Sequence, residues 1–294
     1  MMCRRKAVCL FMGLGAMVCG GGRASAGLIL SAPNDSVEVD FASFLGAGFS
    51  PAPATGQLNS RFWRVGGLSG GTLDYGDLAT TGDFARGRST GRITTGGIYA
   101  FEVSPGDFAL GVQPGGSDFT PGFLELRVWN KTGATIPTWN VRYDLLFLND
   151  QPRASSWNFS YSTDGLSFTS VPALDFNTPT IADSTSFVSA SRMATVAATV
   201  PRDAYLYLRW DGDDFASTGR RDELALDNIY VAAMPRLSPV PEPSSLAVMG
   251  TLLLGWFGWR RLRWVLPKRQ QARLQSRAAR NQVPSLNGIA AKSD

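Results

Sequence analysis

The sequence predicts an all-β, jelly-roll-like antiparallel β-sandwich, flanked by an N-terminal signal peptide and a single short C-terminal transmembrane helix. Three observations point there. No helical periodicity of useful length occurs between Gly27 and Met234. That stretch instead holds short alternating runs with turn residues between them, the clearest being "SVEVDFASF", "GIYAFEV", "GFLELRVWN", "WNVRYDLLFLND", "SWNFSYSTDG", "AYLYLRWDGDD" and "ELALDNIYVAA". Its length of about 208 residues suits one sandwich or barrel.

Residues 1–26 have the plan of a secretory signal. Arg4, Arg5 and Lys6 precede the apolar run "AVCLFMGLGAMVCG", which is too short for a comfortable span. Ala24 and Ala26 flank Ser25 and supply the small residues a peptidase needs, so cleavage is expected after Ala26. All three cysteines (Cys3, Cys9, Cys19) fall inside this segment, and histidine is absent. The mature chain is therefore expected to lack disulfides, cysteine nucleophiles, Ser-His-Asp triads and zinc sites built on imidazole or thiolate.

The exported body spans 27–234. Between Gly27 and Pro239, 15 basic residues face 22 acids, a formal charge of −7, although the whole chain is +4. A basic nucleic-acid footprint is missing, and no nucleic-acid partner is expected. In "GFLELRVWN", Leu124, Leu126 and Val128 face one side while Glu125 and Arg127 face the other. In "AYLYLRW", Leu206, Leu208 and Trp210 oppose Tyr205, Tyr207 and Arg209. Half-buried strands of this kind fit an antiparallel sandwich. Asp164-Gly165 and Asp211-Gly212 read as hairpin turns. The Gly/Thr/Asp/Ser-rich stretch from Gly66 to Gly97 reads as long surface loops over one end, where a ligand site would be at home.

Acids concentrate in "RWDGDDFASTGRRDELALDNIYV". Its ending resembles the closing "ALDNI"-type strand of jelly-roll adhesion modules, near which calcium can bind. No cofactor is certain, but a structural Ca²⁺ held by some of Asp211, Asp213, Asp214 and Glu223 is the metal expectation, on hard oxygen ligands alone. An EF-hand is excluded, because a loop starting at Asp211 places Phe215 and Ala216 where an acid or Asn and then Gly are required. The competing reading is a solvated acidic turn beside Arg220 and Arg221. Tyr205, Tyr207 and Trp157 are candidates to stack on sugar rings, against the alternative that they belong to the core. Asn130-Lys-Thr132 and Asn158-Phe-Ser160 match the glycosylation acceptor pattern, which in a bacterial exported chain reads as chance.

Residues 235–245 form a Pro-rich linker, 246–266 a short apolar helix plus arginine cluster, and 267–294 a basic tail on the cytoplasmic side. Leu246 to Trp259 is fourteen residues without a charge, about 21 Å of helix against a hydrocarbon core of about 30 Å. Arg260, Arg261 and Arg263 can snorkel to headgroups, while Pro241 and Pro243 bar an earlier helix start. Such a segment can stop in a membrane without being held firmly. "VPEPSSLAVMGTLLLGWFGWRR" resembles the PEP-CTERM sorting signal of Gram-negative bacteria. The resemblance implies a recognition box of Val240, Pro241, Glu242 and Pro243, a basic stop at Arg260, Arg261 and Arg263, and processing by an exosortase-type membrane peptidase. Members usually end soon after the arginines, whereas here a basic tail follows. An ordinary tail anchor is the competing reading, and it would carry a longer apolar run.

The expected protein is thus exported, transiently anchored in the inner membrane by the C-terminal helix, then found at the cell surface or outside the cell. Its expected role is non-catalytic, in a surface or matrix associated with extracellular polysaccharide. The alternative is a glycosidase or polysaccharide lyase, since paired carboxylates such as Asp211/Asp213 or Asp222/Glu223 need no histidine. An ice-binding protein ranks last, for want of regular Thr-x-Thr ladders.

Overall fold

The computed structural model describes residues 28–234. The expected signal peptide (1–26), linker (235–245), apolar helix (246–266) and tail (267–294) lie outside the described residues. Among the described residues no helix is long and apolar enough to cross a membrane.

Seventeen strands follow one another in this stretch. The first seven are β1 (Ile29–Leu30), β2 (Ser36–Val39), β3 (Phe44–Ser50), β4 (Gly56–Asn59), β5 (Trp63–Leu68), β6 (Gly71–Leu73) and β7 (Arg88–Ser89). Next come β8 (Gly97–Ser104), β9 (Asp107–Gln113), β10 (Gly122–Asn130), β11 (Thr138–Leu148) and β12 (Ala154–Ser162). The last are β13 (Thr169–Ser170), β14 (Phe176–Asn177), β15 (Val188–Val196), β16 (Tyr205–Ala216) and β17 (Glu223–Met234). Single 3₁₀ turns at Gly82–Phe84 and Pro172–Leu174 are the helical content of the described residues.

The strands form two packed sheets. The first runs β13-β12-β16-β10-β5-β6, with β1 beside β10 and β14 beside β12. The second runs β15-β11-β17-β9-β8-β7, with β2 beside β17. A small parallel pair, β3-β4, stands apart. From β9 onward the long strands alternate between the sheets, so neighbours in a sheet are distant in sequence. The central ladders are antiparallel, and β10 against β16 shows why the alternation in sequence matters. Leu124 pairs with Trp210, Leu126 with Leu208 and Val128 with Leu206, all fully buried on the inner face. Every second residue between them is turned outward.

The inner faces meet around a cluster of rings. Tyr143 of β11 packs edge-on against Trp210 of β16 at 5.4 Å and 85° between rings, and lies 5.7 Å from Phe159 of β12. All three are buried, and the Tyr143 hydroxyl donates to the Leu174 carbonyl. Burying one such side chain contributes about 3 kcal/mol or more, which is how a body without disulfides holds its two sheets together.

Two expectations are corrected here. Asp211-Gly212 is not a turn: both residues lie inside β16 and pair with β10 and β12. Glycine is needed there because a Cβ at Gly212 would run into the Phe119 ring and the Trp157 indole. Trp157, for the same reason, is not a surface ring. It pairs with Gly212, fills the space the glycine leaves, and packs 6.0 Å from Phe119 at 1% exposure. Asp164-Gly165 does turn the chain, but within a longer loop between β12 and β13. Asp164 accepts the Leu166 and Ser167 N–H groups, and Gly165 takes the left-handed conformation at φ 72°.

Candidate functional site

The outward residues of the first sheet build the most distinctive surface of the described residues. The register of β10 against β16 sets Trp129 opposite Tyr205, Arg127 opposite Tyr207, Glu125 opposite Arg209 and Phe123 opposite Asp211. The register of β10 against β5 adds Arg64 beside Glu125. On the other flank, β12 presents Asn158, Ser160 and Ser162 beside Asp211, Arg209 and Tyr207. Trp129, Tyr205, Tyr207, Arg127, Arg209 and Phe123 are all half-buried.

Rings and cations interleave along this face. Trp129 stacks on Tyr205 with centroids 5.5 Å apart, and Tyr205 neighbours Tyr207 at 6.0 Å. The loop after β6 folds Tyr75 onto the row, 6.1 Å from Tyr207. Arg127 lies between two rings, 4.0 Å from Tyr75 and 4.3 Å from Tyr205. Arg209 likewise lies between Phe168 at 3.7 Å and Phe123 at 4.5 Å, and Lys131 caps Trp129 at 4.1 Å. Cation–π contacts of this kind contribute about 0.5–1 kcal/mol when exposed and more when desolvated.

Glu125 ties the row together. Although its side chain starts from the outer face, it is only 1% exposed, because its neighbours cover it. Its carboxylate accepts the Tyr75 hydroxyl at 2.9 Å and the Arg209 Nε–H at 2.7 Å, with Arg64 at 4.0 Å. Burial, followed by this carboxylate, raises the Tyr75 phenol. Gly66 of β5 has no side chain where Phe123 crosses it; a Cβ there would meet that ring. At the far flank, Gly165 of the 163–168 loop backs onto the Tyr207 ring, and Phe168 of the same loop covers Arg209.

Of the three aromatic candidates read from the sequence, Tyr205 and Tyr207 are on this face and Trp157 is in the interior. Trp129, Tyr75, Phe123 and Phe168 were missed. The signal that could have found the first and third is the alternation itself, which turns Phe123, Glu125, Arg127 and Trp129 outward once Leu124, Leu126 and Val128 turn inward. Tyr75 and Phe168 arrive on loops and left no such signal.

The four acids expected to hold calcium are dispersed. Asp211 is half-buried on the outer face, and burial raises its carboxyl against the pull of Arg209. Asp213 is exposed at the strand end, accepting the Asp214 N–H. Asp214 is bound by Arg221 at 2.6 Å and Arg153 at 2.8 Å. Glu223 belongs to the second sheet, at 1% exposure, and accepts the Ile93 N–H. Among the described residues no group of three or more His, Cys, Asp or Glu side chains is placed to hold a metal ion.

Of the acid pairs considered for catalysis, Asp211 and Asp213 lie two residues apart on the outer face of β16, while Asp222 and Glu223 are chain neighbours engaged by different partners. Asp222 is fully buried and accepts the Thr178 hydroxyl and the Gln151 N–H. Burial pushes Asp222 up to about 6 and Glu223 up to about 7, values suited to a general acid, but their contacts are turned to different neighbours. In the loop-rich stretch, a cleft of about 540 Å³ is lined by Gly70, Thr72, Leu78, Thr81, Asp83 and Phe84. Asp83 is committed to the Ser69 hydroxyl, the Gly70 N–H and Arg86, which together hold its carboxyl below the usual range. Asn130, of the first glycosylation-like triplet, is fully buried, and its amide donates to the Ala134, Val200 and Pro201 carbonyls.

Residues 239–263 match the PEP-CTERM protein-sorting motif. The motif marks an exported chain that an exosortase, a membrane protein, processes and sorts to the cell surface. No curated protein is significantly similar to the chain. Among solved structures, the chain is similar to the N-terminal cellulose-binding domain of Cellulomonas fimi β-1,4-glucanase C, at 17% identity and TM-score 0.29, covering 60% of this chain and 91% of that one. It is also similar to TmCBM61 in complex with β-1,4-galactotriose, at 11% identity and TM-score 0.30, covering 47% and 82%. A third likeness is to the CBM22-1–GH10 modules of Clostridium thermocellum xylanase 10B complexed with xylohexaose, at 10% identity and TM-score 0.28, covering 49% and 26%. At these identities and TM-scores the likenesses carry no functional argument.

Proposed function

We propose that this chain is a non-catalytic, exosortase-sorted protein of the cell surface or extracellular matrix, whose sandwich holds extracellular polysaccharide on the outer face of the first sheet. One observation carries the reading: Trp129, Tyr205 and Tyr207 on adjacent strands, with Tyr75 folded in from the loop after β6, form a continuous half-buried row interleaved with guanidinium groups. Rings of this kind offer flat apolar area to sugar C–H faces, while arginine supplies hydrogen-bond donors around it. The sorting motif supplies the destination. The apolar segment 246–266 would act as a transient inner-membrane handle until it is removed.

We infer further that the sandwich is a jelly roll. The order β9-β17-β11-β15 in one sheet and β10-β16-β12-β13 in the other supports this, with the chain alternating between sheets. A carboxylate-pair glycosidase or lyase is less well supported, since Asp222 and Glu223 are enclosed and engaged by backbone and threonine donors.

Affinity electrophoresis of the full chain through gels containing bacterial exopolysaccharide tests the reading. Wild-type protein should be retarded, and Tyr205→Ala and Trp129→Ala should each run closer to the free position. Equal retardation of all three would overturn the assignment of this face.

A further inference from the structure

Resting on that reading, we propose that the face selects acidic polysaccharide, with the Arg127 guanidinium receiving a uronate carboxylate. The cations on this face differ in what already neutralises them. Arg209 is paired with Glu125, Arg64 with Asp74 at 2.7 Å, and Lys131 with Asp203 at 2.7 Å. Arg127 is not: among the described residues no carboxylate lies within 4.0 Å of it, although it stands mid-row. Its Nε–H donates to the Arg61 carbonyl at 2.8 Å, which fixes the group, and its two terminal nitrogens find no acceptor among the described residues.

The stacking decides which ligand suits those nitrogens. Tyr75 and Tyr205 both lie against the guanidinium, their ring centres 4.0 and 4.3 Å from its carbon. With Nε–H taken by the Arg61 carbonyl, the terminal N–H groups match the two oxygens of a planar carboxylate. A uronate ring lying along the row can turn its carboxylate toward those N–H groups. The exported body as a whole is acidic, with 22 acids against 15 bases between Gly27 and Pro239. A polyanion is therefore favoured only near cations without a carboxylate partner. Among the described residues Arg61, Arg88, Arg192, Arg202 and Arg220 are others, but Arg127 is the one set against Tyr75 and Tyr205 in the aromatic row.

The test uses the full chain with polygalacturonate and with the same polymer fully methyl-esterified, which keeps the backbone and removes the charge. Wild type should bind the acid form about tenfold more tightly, the equivalent of about 1.4 kcal/mol. Arg127→Gln should reduce that preference to about onefold, and Arg127→Lys, which keeps the charge and loses the fork, should fall between. Circular-dichroism melting of each variant shows that the sandwich is intact. If wild type, Arg127→Lys and Arg127→Gln all bind the two polymers alike, while Tyr205→Ala loses both, the acidic preference is wrong and the polysaccharide face stands. If neither polymer binds, or Tyr205→Ala binds like wild type, both readings fall together. Retention of dextran sulfate in place of polygalacturonate would overturn the carboxylate geometry.

Discussion

Replacing Asp227 by asparagine should stabilise the protein at pH 8 and leave it nearly unchanged at pH 4.5. Asp227 lies on β17 at 3% exposure, accepts the Asn228 N–H at 2.8 Å, and faces Asp107, Asp144 and Asp40. Burial first, and those carboxylates next, push it from 3.8 up to about 7. The raised value means that the folded protein keeps a proton which the unfolded chain releases above about pH 4. Stability from this group is therefore undiminished below about pH 4, falls as pH rises toward 7, and stays low above it. Each pH unit in that window costs about 1.4 kcal/mol, giving a ceiling of about 4 kcal/mol, of which relaxation around the site leaves roughly 2. Asparagine keeps an oxygen for the Asn228 N–H and carries no charge. Urea denaturation of both proteins at pH 4.5 and pH 8 measures the effect, with about 2 kcal/mol expected in favour of the variant at pH 8. Equal loss of stability at both pH values, or a wild type that grows more stable from pH 4.5 to 8 while the variant does not, would refute the reasoning.

Gly66→Ala should push Phe123 off β5 and loosen its contacts with Arg64 and Arg209, losing about 1–3 kcal/mol in thermal denaturation and weakening polysaccharide retention together. Asn130→Ala removes a buried amide that serves three carbonyls, so a loss of about 2–4 kcal/mol is expected in urea denaturation, with retention on polysaccharide unchanged below the transition. Joint replacement of Pro241, Glu242 and Pro243 by alanine should leave the C-terminal segment uncleaved, so that intact mass spectrometry finds Asp294 in the variant and not in the mature wild type.

How far the sequence could be read depended on whether its signal was local. The alternation in "GFLELRVWN" and "AYLYLRW" is local, and it marks Leu124, Leu126, Val128, Leu206, Leu208 and Trp210 as inner-face residues, all fully buried in the sandwich. The C-terminal box and arginines are equally local, and the sorting motif spans them. Strand register is not local. That Trp129 meets Tyr205, and that Arg127 slots between Tyr205 and a loop tyrosine 52 positions earlier, depends on pairings between distant segments. The same limit explains two errors. Gly212 resembles the second residue of a tight turn, but its missing side chain serves packing, making room for Phe119 and Trp157. Trp157, quoted among exposed rings, is drawn inside by that vacancy.

Chemical-shift mapping of isotope-labelled protein titrated with polygalacturonate fragments would locate the ligand without relying on any substitution. Shifts should concentrate on Trp129, Arg127, Tyr205 and Tyr207 and on the 163–168 loop, with the second sheet and the 70–84 cleft silent. Shifts centred on that cleft or on β15 and β11, or a spectrum that does not move at saturating polysaccharide, would show that the outer face of the first sheet is not where this protein holds its partner.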